Sequence, residues 1–236
     1  MDLLRWCDDI GMFTTDRPIN DIEIGGVKFA EGSCVHRTEF CNKTCYNIKL
    51  YKLYPAMAQR DIRIEQEWRN VRGSVFASAL LRKRKQTSRV RFMSRGESIK
   101  DYSDIARVRD ICNHSPNTFF WMPFRAWHNT FLRFAVKKLW DECPNLVPLA
   151  STDPDTTGEE WEMLKNEGWS TMFYGDDTML NTPNGDRMFK CPKTHKKLTG
   201  HCNICKGGCF APSTLNKRVD VLTLASKLLN QFKSSN

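Results

Sequence analysis

This chain of 236 residues predicts an α/β fold built on parallel strands. Three observations carry that reading. Short apolar runs alternate with amphipathic stretches from Val90 to Tyr174, the rhythm of strand, crossover helix and next strand. Each apolar run is followed by polar residues, where parallel α/β folds place their ligands. No internal repeat, low-complexity tract or linker breaks the pattern. Such alternation implies right-handed crossovers.

The elements follow in order. From Ile22 to Phe29, β-branched residues flank Gly25-Gly26, which reads as one or two short strands and a turn. From Cys45 to Val71, Ile48, Tyr51, Met57, Ile62, Ile64 and Trp68 recur at helical spacing, with Pro55 kinking or restarting the helix. Gly73 to Leu81 is a further helical piece. Val90–Met93 is a strand and Ile99–Cys112 a helix with Tyr102, Ile105, Val108 and Ile111 on one face. Phe119–Met122, Leu146–Ala150 and Thr171–Tyr174 are strands; Thr130–Asp141 and Thr157–Asn166 are helices. Thr157 and Glu160 have the spacing of a capping box. Val219–Phe232 is a terminal helix that docks by one face. Residues 1–185 are expected to form the main domain, and 186–236 a Cys-rich metal-binding segment with that helix, packed on it.

Composition narrows the class. The apolar stretches are too short to cross a bilayer, so no membrane partner is expected. The opening Met1-Asp-Leu-Leu-Arg-Trp lacks the pattern of a secretory signal, which predicts a cytoplasmic location. In a reducing cytosol, grouped cysteines favour metal over disulfides. The net charge of +9 permits a nucleic-acid partner. Arg82-Lys83-Arg84-Lys85 with Arg89 and Arg91 reads either as a phosphate-binding patch or as a solvated helix end.

Seven of the ten cysteines fall in two groups. Cys34, Cys41 and Cys45 are spaced C-x6-C-x3-C, and Cys191, Cys202, Cys205 and Cys209 are spaced C-x10-C-x2-C-x3-C. Close-set thiolates suit soft metals, as zinc or as iron–sulfur clusters. Three thiolates are one short of a closed tetrahedral site; an iron–sulfur cubane held by three cysteines keeps one iron open. His36 lies inside that loop but reads as solvated. Four cysteines suffice for zinc or a fully ligated cluster, with Gly207-Gly208 giving the backbone room, and His195 and His201 as spare donors. Cys7, Cys112 and Cys143 have no such company in the sequence.

The strand ends supply the rest of a rim: Ser94-Arg95-Gly96-Glu97, Arg125 with Trp127 and His128, Ser151 to Asp155, and Gly175-Asp176-Asp177. Each is weak alone. Together with the first cysteine loop they predict one pocket.

Cys34…Cys41-x3-Cys45-Tyr46, Arg91-Phe-Met-Ser-Arg-Gly-Glu97, Phe120-Trp-Met-Pro-Phe-Arg125, Ser151-Thr-Asp-Pro-Asp155 and the closing cysteines resemble the bacteriophage gene-product-88-like domain family, over residues 25 to 210. That family resembles the radical S-adenosylmethionine enzymes. The resemblance implies a partial (β/α) barrel. It implies that Cys34, Cys41 and Cys45 hold a [4Fe–4S] cluster whose open iron chelates the methionine end of S-adenosylmethionine. Gly96 and Glu97 then contact the cofactor's amino group, and Arg125, Ser151 and Asp153 face cofactor or substrate. One-electron reduction, by a donor of reductase, flavodoxin or ferredoxin type, releases a 5′-deoxyadenosyl radical that abstracts hydrogen from a substrate the sequence does not identify. The location becomes the host-cell cytoplasm if the chain is phage-encoded. The chain departs from the superfamily's common C-x3-C-x2-C spacing, and Arg-Gly-Glu stands where Gly-Gly-Glu is usual. The alternative is a non-catalytic metal-binding protein that binds nucleic acid, resting on the basic run and the second cysteine group. A third reading is an electron-transfer protein.

Overall fold

The computed structural model describes residues 2–19, 22–24, 27–29, 32–83, 87–175, 178–196, 201–205, 207–210, 212 and 218–224. The strands are β1 (Arg5–Cys7), β2 (Met12–Thr14), β3 (Ile22–Ile24), β4 (Val27–Phe29), β5 (Arg89–Arg91), β6 (Phe119–Phe124), β7 (Leu146–Thr152), β8 (Thr171–Gly175), β9 (Phe189–Lys190) and β10 (Asp220–Leu224). The helices are α1 (Glu39–Thr44), α2 (Tyr46–Leu53), α3 (Pro55–Asn70), α4 (Gly73–Leu81), α5 (Tyr102–His114), α6 (Thr130–Glu142), α7 (Gly158–Asn166) and α8 (Pro192–Lys196).

Eight strands form one sheet in the order β1-β2-β5-β6-β7-β8-β10-β9. Only β1 runs antiparallel to its neighbour; every other pairing in this sheet is parallel. From β2 to β8, each strand lies beside the next strand of the sheet in chain order, and α5, α6 and α7 occupy the successive crossovers. β3 and β4 form a separate hairpin.

Period-two alternation gives the sheet two distinct faces. Val90, Phe120, Met122, Phe124, Leu146 and Ala150 point into the large core under the helices. There Phe92 stacks on Phe120 with centroids 4.8 Å apart, and Phe76 of α4 tilts against both. Truncating a buried phenylalanine such as Phe120 costs about 3–5 kcal/mol. The opposite face carries Trp121, Val147 and Leu149, which pack with Ile10, Met12 and Phe210. The Cys-rich segment therefore covers part of the face that the helices leave bare.

The helix starts have local causes. Asp101 caps α5 by accepting from the backbone N–H of Ser103 and Asp104, so α5 begins later than apolar spacing predicts. Asn129 caps α6, and the capping box of Thr157 and Glu160 opens α7 as expected. The long helical stretch divides at Tyr54, with Pro55 restarting it as α3.

Two expectations need correction. The terminal helix is not formed at its start: Asp220–Leu224 is β10, inserted between β8 and β9. Val221 and Leu222 are consecutive and both buried, as expected of a strand covered on both faces. The remainder of that stretch lies outside the described residues, as does the Gly25-Gly26 turn. The strand expected over Val90–Met93 pairs only over Arg89–Arg91, because Met93 takes φ 52 and turns the chain out of the ladder.

Candidate metal centre and strand-end pocket

A cavity of about 170 Å³ opens at the carboxyl ends of the strands, between the sheet and the segment that carries α1 and α2. Cys34, Cys41 and Cys45 line it together with Gly96, Glu97, Arg125 and Ser151. These residues, singled out from the sequence, thus meet in one place, with Ser94 and Arg95 of the same rim.

Local interactions explain how the cysteine loop is held there. Ser33 donates through both its N–H and its hydroxyl to the carbonyl of Pro18, and its hydroxyl oxygen accepts the N–H of Glu97 at 2.8 Å. Gly96 sits opposite at φ +77; a Cβ there would lie 2.6 Å from the carbonyl oxygen of Arg17 and from Ser33 Oγ. Only glycine lets the two segments approach this closely. Thr38 caps α1 by accepting the N–H of Cys41 at 3.1 Å. The helix ends at Thr44, so Cys41 lies within α1 and Cys45 at the break before α2.

The loop after β7 grips the same helix. Thr38 donates its hydroxyl hydrogen to Asp153 Oδ2 at 2.5 Å, and Asp155 accepts the N–H of Phe40 at 2.6 Å. Arg125 Nη1 meets Asp153 Oδ2 at 2.6 Å. Asp153 is fully buried and stands behind Arg125 rather than in the cavity wall. There it ties Arg125 to the cysteine loop through Thr38.

Buried ion pairs brace the floor. Arg95 bridges Asp61 and Asp16, and Asp16 also takes Arg5, Arg60 and the Ser94 hydroxyl. Arg17 joins Glu65 on α3 to Asp104 on α5. These pairs fix α3 and α5 against the strand ends.

Burial dominates the electrostatics of the pocket, whose wall sets Glu97 and three thiols among Arg37, Arg91, Arg95 and Arg125. Burial pushes the Glu97 carboxyl up to about 7, opposed by the N–H groups of Arg125 and Ile99, the Arg125 charge and the N–H of Ser98. Burial raises the Cys34 thiol strongly, and Glu97, Cys41 and Cys45 add to it. Cys41 rises to about 11 by burial, with the Arg125 guanidinium pulling the other way. Thiols so disposed stay protonated until a cation replaces the proton.

The second group gathers separately on the same sheet face. Cys191, Cys202, Cys205 and Cys209 line a cavity of about 30 Å³ with Trp121 and Phe210. Arg89 donates to the carbonyls of Cys202 and Cys205 at 3.0 and 2.6 Å, with its guanidinium 4.3 Å from the Phe210 ring centroid. Burial pushes Cys202 up to about 11, Cys191 adds to that, and Arg91 opposes it. Burial also raises Cys209, well above the ordinary thiol value.

Both donor sets are of the kind that soft metals take. Among the described residues, no three Cys, His, Asp or Glu side chains form the ligand set of a single ion. The thiols of each group share a cavity rather than a point. His36 is engaged elsewhere, through Nε2 to the carbonyl of Lys100. His195 donates from Nδ1 to the carbonyl of Cys191, which leaves Nε2 as a buried lone pair with no hydrogen-bond partner.

Sequence reasoning missed several residues here. Arg89 and Arg91 read as a basic run, yet they flank Val90 on a strand, and that i, i+2 spacing turns both toward the cysteines. Cys112 and Cys143 are buried together in the helical core, where each thiol perturbs the other's ionisation. Cys7 packs in the small cluster that contains Cys202 and Cys209. Asp176 and Asp177, His201 as a side chain, and Arg84 and Lys85 lie outside the described residues. No helix among the described residues is long and apolar enough to cross a membrane. No family model, curated protein or solved structure matches the chain.

Proposed function

We propose that the chain is a radical S-adenosylmethionine-type iron–sulfur enzyme of phage type on a partial (β/α) barrel. One observation carries the reading: three cysteines from a single loop line one cavity with Gly96 and Glu97, at the carboxyl ends of parallel strands. The strand order supports the partial barrel, because neighbours that follow chain order, crossed over by helices, are what a barrel requires and a doubly wound sheet lacks. The resemblance in sequence supplies the chemistry.

When bound, a [4Fe–4S] cluster with S-adenosylmethionine supplies a one-electron cleavage that yields a 5′-deoxyadenosyl radical. Cys34, Cys41 and Cys45 would hold the cluster. Glu97 would offer a buried carboxylate to the cofactor's ammonium group, and a cation placed there would lower the carboxyl's affinity for its proton. Arg125, fixed by Asp153, presents its guanidinium to the same cavity, and Ser151 offers a hydroxyl. Thr38, Asp153 and Asp155 keep the cysteine helix in register with the strand ends. The second group would hold zinc or a further cluster, and an external donor would deliver the electron.

The test is anaerobic purification with assay of iron, sulfide and zinc, then addition of dithionite and S-adenosylmethionine. Iron with sulfide, and 5′-deoxyadenosine formed by wild type but not by Cys41→Ala, is the expected result. A colourless, iron-free protein sinks the proposal.

A further inference from the structure

We propose that Arg91, backed by Trp121, is an anion subsite that seats a phosphate or carboxylate group of the substrate between the two cysteine groups. This rests on reading the strand-end cavity as the substrate pocket.

Arg91 lies in the wall of that cavity. Its guanidinium sits 4.6 Å from the centroid of the Trp121 ring. Two other cations of the same wall have carboxylates: Arg95 holds Asp16 and Asp61, and Arg125 holds Asp153. Arg91 forms no ion pair with any described residue, and its Nε is buried without a hydrogen-bond partner. Trp121, whose ring face carries that guanidinium, also has a buried Nε1–H without a hydrogen-bond partner. Orphaned donors on two side chains in contact, one of them charged, are rare in a folded interior, where buried donors find acceptors. A stacked, planar guanidinium with free N–H edges is matched to a two-oxygen acceptor. Arg91 also lies within electrostatic range of Cys202 and Cys209. An anion held here is therefore flanked by the first thiol group on one side and the second on the other.

The experiment uses the full-length, anaerobically purified protein without S-adenosylmethionine, so it stands apart from cofactor cleavage. Pyrophosphate and glutarate are titrated separately by calorimetry into wild type, Arg91→Ala, Arg91→Lys and Trp121→Phe. Iron and zinc per chain are measured for each. One of the two anions should bind, which identifies the group. Arg91→Ala should weaken it about ten- to a hundredfold, the worth of a charge-assisted hydrogen bond. Arg91→Lys and Trp121→Phe should lose less, and metal content should not change. If Arg91→Ala fails to fold, Arg91→Gln makes the same comparison at similar size. Binding of neither anion, or equal binding by wild type and the uncharged variant, overturns the subsite. So does loss of metal from the Cys191 group in that variant, because the guanidinium then serves the thiolates.

Discussion

Asp153 Oδ2 lies 2.6 Å from Arg125 Nη1 and 2.5 Å from the Thr38 hydroxyl oxygen, so a single buried carboxylate oxygen ties a pocket cation to the helix that carries Cys41. The three residues come from β6's end, β7's end and the cysteine loop. Their meeting fixes where the first thiol group stands relative to the sheet.

Replacing Asp153 should therefore loosen the cysteine loop rather than the core. Asp153→Asn keeps the shape and removes the charge that Arg125 requires. Breaking a buried pair from one side costs about 3 kcal/mol. The expected outcome is a drop of that order in urea denaturation, with iron per chain reduced and the zinc or iron of the Cys191 group retained. Asp155→Ala, which removes only one acceptor at the start of α1, should cost about 1 kcal/mol. Equal effects of the two variants would contradict the central place given to Asp153.

Gly96 offers a cleaner geometric test. Gly96 and Gly185 both have positive φ, but only Gly96 faces atoms that a Cβ would strike. Gly185→Ala meets open space and should cost about 1 kcal/mol for the left-handed backbone alone. Gly96→Ala adds a clash with the Arg17 carbonyl and Ser33, and should cost about 1–3 kcal/mol more. Denaturation midpoints of the two variants check this directly. The displaced Ser33 should carry Cys34 with it, so iron content should fall for Gly96→Ala alone.

Much of the fold is legible in the sequence, for reasons that particular residues make plain. The span from Tyr102 to Tyr174 can be read because its strands and helices are long enough to show their periods, and Thr157 and Glu160 announce α7. Cysteines cluster visibly, so both thiol groups stand out. β1 and β2 cannot be read, since three residues each carry no period. β10 reads as a helix because Val219, Leu222 and Leu229 also fit helical spacing. The bond from Thr38 to Asp153 cannot be read from sequence, because the two are 115 residues apart and only the folded sheet brings them together. Arg89 and Arg91 merge into a basic run, although strand alternation already sets them on one face.

Glu97 makes stability depend on pH. Its carboxyl is raised by burial to about 7 in the fold, against about 4.3 for an ordinary glutamate. Between those values the folded chain holds a proton that the unfolded chain has released. Stability from this group is thus full below the unfolded value and declines as pH rises through 7. The slope approaches about 1.4 kcal/mol per pH unit within that window. In chelator-treated protein, the difference in unfolding free energy between wild type and Glu97→Gln should change with that sign from pH 5 to 7 and level off above. A flat difference would show that the carboxyl titrates normally.

Arg89 separates the metal reading of the second group from a nucleic-acid reading of the basic run. Its Nη1 donates to the carbonyls of Cys202 and Cys205, and its guanidinium lies against Phe210, so the side chain faces the cysteine loop rather than solvent. Hydrogen bonds from a charged donor contribute about 1.5–3 kcal/mol, and without them two carbonyls of the loop lose their anchor. Arg89→Ala should therefore lower the metal bound by Cys191, Cys202, Cys205 and Cys209, measured by elemental analysis, and leave the iron of the first group in place. Arg82, exposed at the end of α4, is the control: Arg82→Ala should leave both metals unchanged. Fluorescence anisotropy with a random-sequence single strand completes the comparison. A phosphate-binding patch would lose affinity with either arginine, and the salt slope would fall by about one for each phosphate no longer neutralised. Retained metal together with weakened strand binding in Arg89→Ala would move this residue to the nucleic-acid surface. Lost metal with unchanged strand binding would place it as the brace of the second thiol group.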